Sequence, residues 1–246
     1  MSILLLAIVL IGFARTLFLR PLFQVPAIPW YVYVHGSVMT VWIVLFVVQT
    51  SLVAARRTDL HRRLGVFGAV LAVSMVILAI VITLKIPSSF PTRAAAAAAT
   101  GGPPITRQVA MQLAMQIMWG NVGTIILFPT LVATALRMRR RSDVHKRLML
   151  LASMALVGPA LGRMQAFPSL WGITASAPVI TAFFTLLPIA ADLLLPLTLV
   201  GHDLLTTRRL HQATLWGVLG YFTSAVGFFS VIPATAVGRA LWNALE

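Results

Sequence analysis

Seven apolar runs, each long enough to cross a lipid bilayer, constrain how this chain can fold. They cover roughly residues 3–19, 29–54, 64–86, 109–136, 148–167, 178–201 and 212–241. A helix needs about 20 consecutive apolar residues to cross the hydrocarbon core. Because 59% of the residues are hydrophobic and only 10% are charged, a soluble domain of this length could not bury its apolar surface. The sequence therefore predicts an all-α, polytopic membrane bundle of about seven transmembrane helices, forming a single domain over residues 1–246.

Two six-residue stretches of the chain are nearly the same. Residues 59–64 read Asp-Leu-His-Arg-Arg-Leu, residues 143–148 read Asp-Val-His-Lys-Arg-Leu, and residues 208–211 resemble a reduced third copy. Each stretch lies between two apolar runs, which predicts repeated helical hairpins with a histidine at the same membrane face. Asp59 and Asp143 are predicted to be helix N-caps, because an aspartate side chain there accepts hydrogen bonds from free N–H groups of the first turn.

The distribution of basic residues predicts the orientation. Most of them fall in the connections 55–63, 137–147 and 202–211, which alternate with the other connections and so lie on one face. The positive-inside rule places that face and the amino terminus in the cytoplasm, with a bacterial inner membrane as the expected location. The formal charge of +14 then predicts contact with anionic lipid headgroups rather than nucleic acid. Arg15 and Arg20 are exceptions at the outer end of the first helix, which is therefore expected to be short, tilted or interfacial.

The connection 87–107 differs from the others, because it combines prolines with an alanine run and a Gly-Gly-Pro-Pro sequence. It is expected to be a surface segment with a flexible carboxyl-terminal half, in which the alanines extend a helix or form a cap. The chain has no cysteine. This excludes disulfides, thiolate-bound metals and cysteine-bound iron–sulfur clusters.

Two ionisable residues are predicted to lie within the membrane, where they need a partner or a cavity. Arg163 and Asp192 are hypothesised to form a buried pair, which either locks two helices together or handles protons or a ligand; the alternative is that they do not meet. Gln112 and Gln116 share one face of a helix at i, i+4 spacing. They are interpreted either as helix-packing residues or as the wall of a polar pocket.

A candidate metal site lies at the predicted outer side. His35 and Met39 share a helical face at i, i+4 spacing, and Met115 belongs to a methionine stripe at a similar depth. Imidazole and thioether groups suit copper(I), and a His–Met pair can also be axial to haem iron. Methionine is equally an ordinary packing residue.

The histidines at the predicted inner side form a second candidate site. A histidine in the first helical turn meets the positive end of the helix dipole, and basic residues follow it directly, which disfavours a bare divalent cation. An anionic group fits better, either a lipid phosphate or the propionates of a haem whose iron binds histidine. The alternative is a topology signal with no cofactor. The candidate cofactor-binding residues here are His61, His145, His202, His211, Arg62, Arg63 and Arg147.

The stretch from His35 to His61-Arg62-Arg63-Leu64-Gly65 resembles multi-spanning bacterial inner-membrane families of unknown function. In these families one helix begins near a histidine and the next begins with His-Arg-x-Leu-Gly. Some related small membrane proteins are linked to cytochrome oxidase assembly, so the resemblance implies haem or copper biology. It implies no catalytic residue.

Three functions are compatible with these features. The leading hypothesis is a haem- or copper-binding protein that serves electron transfer or the assembly of a respiratory complex. The second is an accessory subunit that has no cofactor and packs against a larger membrane complex. The third is a small-solute or proton-coupled transporter that uses Asp192 and Arg163.

Overall fold

The computed structural model of this protein describes residues 1–23, 28–89, 106–164 and 178–245. Over these ranges the secondary structure is helical with no strand, which confirms the all-α prediction. The connection predicted over 87–107 lies mostly outside the described residues. The helices are α1 (Ser2–Phe13), α2 (Trp30–Ala54), α3 (Thr58–Leu84), α4 (Arg107–Arg137), α5 (Ser142–Met154), α6 (Gly158–Met164), α7 (Pro178–Thr207), α8 (Gln212–Val226), α9 (Ile232–Ala234) and α10 (Ala236–Leu245).

Six helical segments of the described chain are long and apolar enough to cross a membrane. The first apolar run is shorter, because α1 and the π-helical turn Ala14–Phe18 together cover only Ser2–Phe18. The spanning segments are Trp30–Ala54, Thr58–Leu84, Arg107–Arg137, Ser142–Met164, Leu186–Thr207 and Gln212–Ala234.

The segment formed by α5 and α6 lies at the centre of the bundle. In its most apolar window 56% of the residues are buried, against 28% or less in the other five segments. The sequence predicts one helix over 148–167, but the helix begins at Ser142 and is interrupted at residues 155–157. Pro159 explains why a new helix has to start here, since its ring removes a backbone donor and prevents continuation from the preceding turn.

The first hairpin closes through a tight turn at residues 55–57. Arg56 has φ 59°, in the left-handed region, and the N–H of Arg57 donates to the Leu52 carbonyl at 2.8 Å. Arg208 has φ 54° after α7. Glycine usually occupies such positions because it has no Cβ, so each of these two arginines holds a strained backbone conformation at the end of its helix.

The predicted N-caps at Asp59 and Asp143 are wrong. The capping positions are Arg57 and Arg141, neither with a side-chain cap bond, and both aspartates lie inside the first turn. The turns are shorter than expected, so each helix begins before its aspartate. A carboxylate in the first turn still interacts favourably with the positive end of the helix dipole.

The single helix predicted over 212–241 is divided into a spanning segment and a separate short helix. The spanning segment ends at Ala234, after a π-helical turn at Gly227–Val231. Thr235 then adopts extended backbone, and its Oγ1 accepts a hydrogen bond from the Gly238 N–H at 3.0 Å, which caps a new helix, α10. Trp242 of α10 is 1% exposed, so this short helix covers the bundle rather than continuing the span.

Candidate functional site

The two near-identical stretches bring their histidines together. The ring centroids of His61 on α3 and His145 on α5 are 6.3 Å apart, and the ring planes are nearly perpendicular, at 87°. The two residues occupy the same position in their helices, since each donates its backbone N–H to the arginine four residues earlier. We call these two residues the histidine pair, and the end of the bundle that carries them the basic end.

The backbone fixes the orientation of His145. Its Nδ1 lies 2.9 Å from the carbonyl oxygen of Ala135, in the last turn of α4, and Ala135 is fully buried. A carbonyl can only accept, so Nδ1 carries the proton and Nε2 keeps its lone pair. This is the arrangement by which proteins commonly orient a metal-binding imidazole.

The surroundings of His61 contain polar atoms without partners. The backbone of Gln49 approaches the His61 ring as a weak hydrogen-bond partner, while no contact of the buried Nδ1 meets standard hydrogen-bond geometry among the described residues. The side-chain Oε1 of Gln49 is also buried without a partner in that part of the chain. Leaving a buried polar group unsatisfied costs about 1–3 kcal/mol. Nδ1 of His61 and Oε1 of Gln49 are therefore both able to take a further hydrogen-bond partner.

Positive charge surrounds the histidine pair. Arg62, Arg63 and Lys146 follow the two histidines directly and are exposed. Asp59 is exposed as well and bears the opposite charge. Within the described ranges no group of three or more His, Asp or Glu side chains is placed to hold a metal ion. The site thus favours a ligand that needs two imidazoles and carries negative charge.

His211 was predicted as a cofactor ligand, but both of its ring nitrogens have partners within the protein. Its Nδ1 accepts the Ala213 N–H at 3.1 Å, which caps α8, and its Nε2 lies 2.8 Å from Oδ2 of Asp143. His211 therefore connects α8 to α5 and has no nitrogen left for a metal. His202 is exposed and lies 3.7 Å from Asp203, away from the histidine pair's contacts.

Arg147 was predicted to hold an external anion, and it instead binds a carboxylate of the chain itself. Its Nη2 lies 2.5 Å from Oδ1 of the fully buried Asp203. The other carboxylate oxygen accepts from Oγ1 of Thr214 at 2.5 Å and from the His211 N–H at 3.2 Å. We call Asp143, Arg147, Asp203, His211 and Thr214 the Asp203 network.

Sequence reasoning missed the central role of Asp203. One signal was available, because Asp203 is among only five acidic residues in a chain of net charge +14. An acid at the end of a span in such a chain is a natural partner for a buried arginine. Nothing in the sequence around Thr214 indicated that it bonds to this carboxylate.

The sulfur ligands predicted near His35 are not brought together. Met39 packs against the central core, with Trp42 and Ile43 among its members. Met115 belongs to a second cluster with Met118 and Trp242. Met39 and Met115 therefore belong to separate hydrophobic clusters and do not converge on His35 as the sequence predicts.

The predicted pair of Arg163 and Asp192 does not form among the described contacts. Asp192 accepts a hydrogen bond from the hydroxyl of Tyr221 at 3.0 Å. Arg163 lies over the ring of Phe13, 4.4 Å from its centroid, and donates to the Pro159 carbonyl at 2.8 Å. Bends in the chain around α6 give both residues other neighbours.

Gln112 and Gln116 lie on α4. Gln112 is exposed and Gln116 is half-buried. Their role as packing residues or as a pocket wall stays a prediction.

Comparison of the whole chain with models of protein families, with curated proteins and with solved structures finds no match. The functional conclusion therefore depends on the residues and their geometry.

Proposed function

We propose that this chain is a haem-binding protein of a bacterial inner membrane, with His61 and His145 as the two axial ligands, and that it serves electron transfer or the assembly of a respiratory complex. The observation that supports this most is the approach of two histidines from separate hairpins, with the Nδ1 of one held by a backbone carbonyl.

The spacing of the rings suits two ligands of one metal. Two metal–nitrogen bonds of about 2.0–2.1 Å, with roughly one more ångström from each nitrogen to its ring centre, separate two axial imidazoles by roughly 6 Å. The centroids of His61 and His145 are 6.3 Å apart. Direct edge-to-face packing of aromatic rings covers a similar range of distances, so the unpartnered atoms of His61 and Gln49 are the second support.

The charges near the histidine pair favour haem over a bare metal ion. Arg62, Arg63 and Lys146 are exposed and suit the two propionate groups, which arginine binds through charge-assisted hydrogen bonds. The same positive charge repels a free divalent cation. Gln49 would complete the site by using its side-chain amide toward the ligand or toward the imidazole of His61. Haem iron with two histidine ligands has no open coordination position, which suits electron exchange rather than catalysis on a small substrate.

The test is the absorption spectrum of the protein purified from cells supplied with haem. We expect a Soret band and the sharp visible bands of low-spin iron in the reduced protein. His61→Ala and His145→Ala should each abolish these bands or convert them to a high-spin spectrum, since one axial ligand is lost. Elemental analysis of the same samples distinguishes iron from copper.

His202→Ala is the matched control, because His202 is an exposed histidine at the same end of the bundle. Its spectrum should equal that of the wild type. A wild-type protein without haem after expression with haem supplied would contradict the proposal, as would equal haem content in the wild type and in both variants of the pair.

A second candidate function is proton-coupled transport, supported by Asp192. This residue lies within the segment Leu186–Thr207, and its carboxylate accepts a hydrogen bond from the hydroxyl of Tyr221. Membrane-embedded acids commonly mark proton or ion pathways. In reconstituted vesicles Asp192→Asn should then abolish proton uptake while the protein stays folded; uptake unchanged from the wild type would end this candidate.

A further inference from the structure

Arg15 and Arg20 lie at the end of the bundle opposite the basic end, where a topology signal does not account for them. Arg20 is buried and donates to the hydroxyl of Tyr33 at 2.7 Å. Arg15 belongs to the π-helical turn Ala14–Phe18. Turns of this kind are rare and frequently occur at functional sites. The position of Arg15 therefore requires another explanation.

Three polar atoms in this region are buried and have no hydrogen-bond partner among the described residues. They are Nε of Arg15, Oγ1 of Thr16 and Nδ1 of His35. Buried polar atoms in proteins are nearly always partnered. Each of the three can donate a hydrogen bond, His35 in the tautomer with its proton on Nδ1.

Contacts between the chain segments bring these groups to one place. The π-helical turn packs on α2 at the residue next to His35, since a Cβ built on Gly36 would lie 2.9 Å from Cδ2 of Leu17. Arg163 stacks over Phe13, just before the turn, and is close enough to His35 for its charge to act on that ring. The turn therefore packs against α2 next to His35, and α6 places the charge of Arg163 near both.

Among the described residues, no ion pair joins a carboxylate to Arg15. The five acidic residues are Asp59, Asp143, Asp192, Asp203 and Glu246. Asp143 and Asp203 are engaged at the basic end, where Asp59 also lies. Asp192 is bonded to Tyr221, and Glu246 is outside the described residues. The nearest described carboxylate is that of Asp192, whose Oδ1 would lie 3.5 Å from a Cβ built on Gly158 at the start of α6. Buried donors without partners, beside an arginine that has no ion pair in the described part of the chain, are what an anion-binding site requires.

We propose that Arg15, Thr16 and His35, with the charge of Arg163 beside them, form a binding site for a phosphate-type oxyanion at this end of the bundle. A phosphate group offers several acceptor oxygens, which match donors that come from different directions. It is also the group found at the depth where a helix meets the lipid headgroups. The phosphate comes either from a phospholipid headgroup or from a free phosphate in solution.

The test is the thermal stability of the purified full-length protein with two probes, inorganic phosphate and a short-chain phosphatidylglycerol. A ligand that binds only the folded state raises the melting temperature with its concentration. Stabilisation by inorganic phosphate identifies a soluble ligand, and stabilisation by the lipid alone identifies a headgroup. Chloride at equal ionic strength is the salt control.

Thr16→Val removes one of the three donors and keeps the shape of the side chain. Its matched control is Thr124→Val, because Oγ1 of Thr124 already donates to the Gly120 carbonyl of its own helix. We expect the half-saturating probe concentration to rise at least tenfold in Thr16→Val and to stay unchanged in Thr124→Val. Arg15→Lys, which keeps the charge but loses the Nε donor, should resemble Thr16→Val and serves if that variant does not fold.

Two results would overturn the site. One is a wild-type protein whose melting temperature responds to neither probe beyond the chloride control. The other is an equal response in Arg15→Lys, Thr16→Val and Thr124→Val.

Discussion

Arg147 and Asp203 form a buried ion pair that connects α5 to α7, with side-chain exposures of 7% and 0%. Both oxygens of the carboxylate have partners, and Nη1 of the arginine donates to the backbone of Asp143 at 2.8 Å. Removing either partner of such a pair is strongly destabilising, because the other charge is then left buried alone. The Asp203 network thus connects α5 with α7 and with the start of α8.

Asp203→Ala should destabilise the protein by about 3–5 kcal/mol, the usual effect of leaving a buried partner charge unpaired. Reversible unfolding in mixed detergent micelles measures this difference. The control is Asp59→Ala, since Asp59 is exposed and makes no cap bond, and it should lose no more than the helix-dipole contribution of about 0.3–1 kcal/mol. Equal free energies of unfolding for Asp203→Ala and Asp59→Ala would contradict the stabilising role of the Asp203 network.

Gly12→Ala should weaken the docking of α1 on α6. A Cβ at this position would overlap the carbonyl oxygen of Ala160, a backbone atom that cannot rotate away. Overpacking of this kind costs about 1–3 kcal/mol. The melting temperature of the purified protein tests it, with Gly65→Ala as the control because a Cβ there meets nothing within 4 Å. Identical melting of the two variants would mean that this close approach does not exist.

His211 has two structural tasks, and two substitutions separate them. His211→Ala removes both the acceptor that caps α8 and the contact with Asp143. His211→Asn can still cap the helix, because asparagine is a favoured N-cap residue. We expect the alanine variant to be the less stable by about 0.5–2 kcal/mol, the usual effect of a lost cap. If unfolding in detergent showed the asparagine variant to be less stable than the alanine variant, the capping role of His211 would be refuted.

The orientation can be tested by cysteine labelling, because the chain has no native cysteine. Single cysteines at Arg57 and Arg140 should react with a membrane-impermeant maleimide only after the cytoplasmic side is exposed. A cysteine at Lys85, at the other end of α3, should react in intact cells with a permeabilised outer membrane. The opposite pattern would reverse the predicted orientation.

The helical hairpins were predictable because they depend on local sequence. The repeated Asp-x-His stretches begin α3 and α5, and α2 begins and ends within one residue of its predicted bounds. The predicted helix over 212–241 was too long because Thr235 starts α10 through its own hydroxyl. Apolarity alone does not reveal such a break.

The contacts of the candidate site depend on which helices become neighbours, and a single sequence carries little information on this. The repeat predicts that His61 and His145 lie at the same face, but not that their rings approach. The hypothesised pairing of Asp192 with Arg163 is not found, for the same reason. Asp192 bonds to Tyr221 on α8, and Arg163 lies over Phe13 of α1. Polar residues of a span predict that partners exist, without identifying them.

The docking of Gly12 on Ala160 has a consequence for biosynthesis. The first helix leaves the ribosome long before α6 has been translated, and at this length it is too short to be a secure span by itself. Its docking on α6 is a non-local contact, of the kind that forms late in folding, and the polar region around Arg15 is complete only when that contact is made.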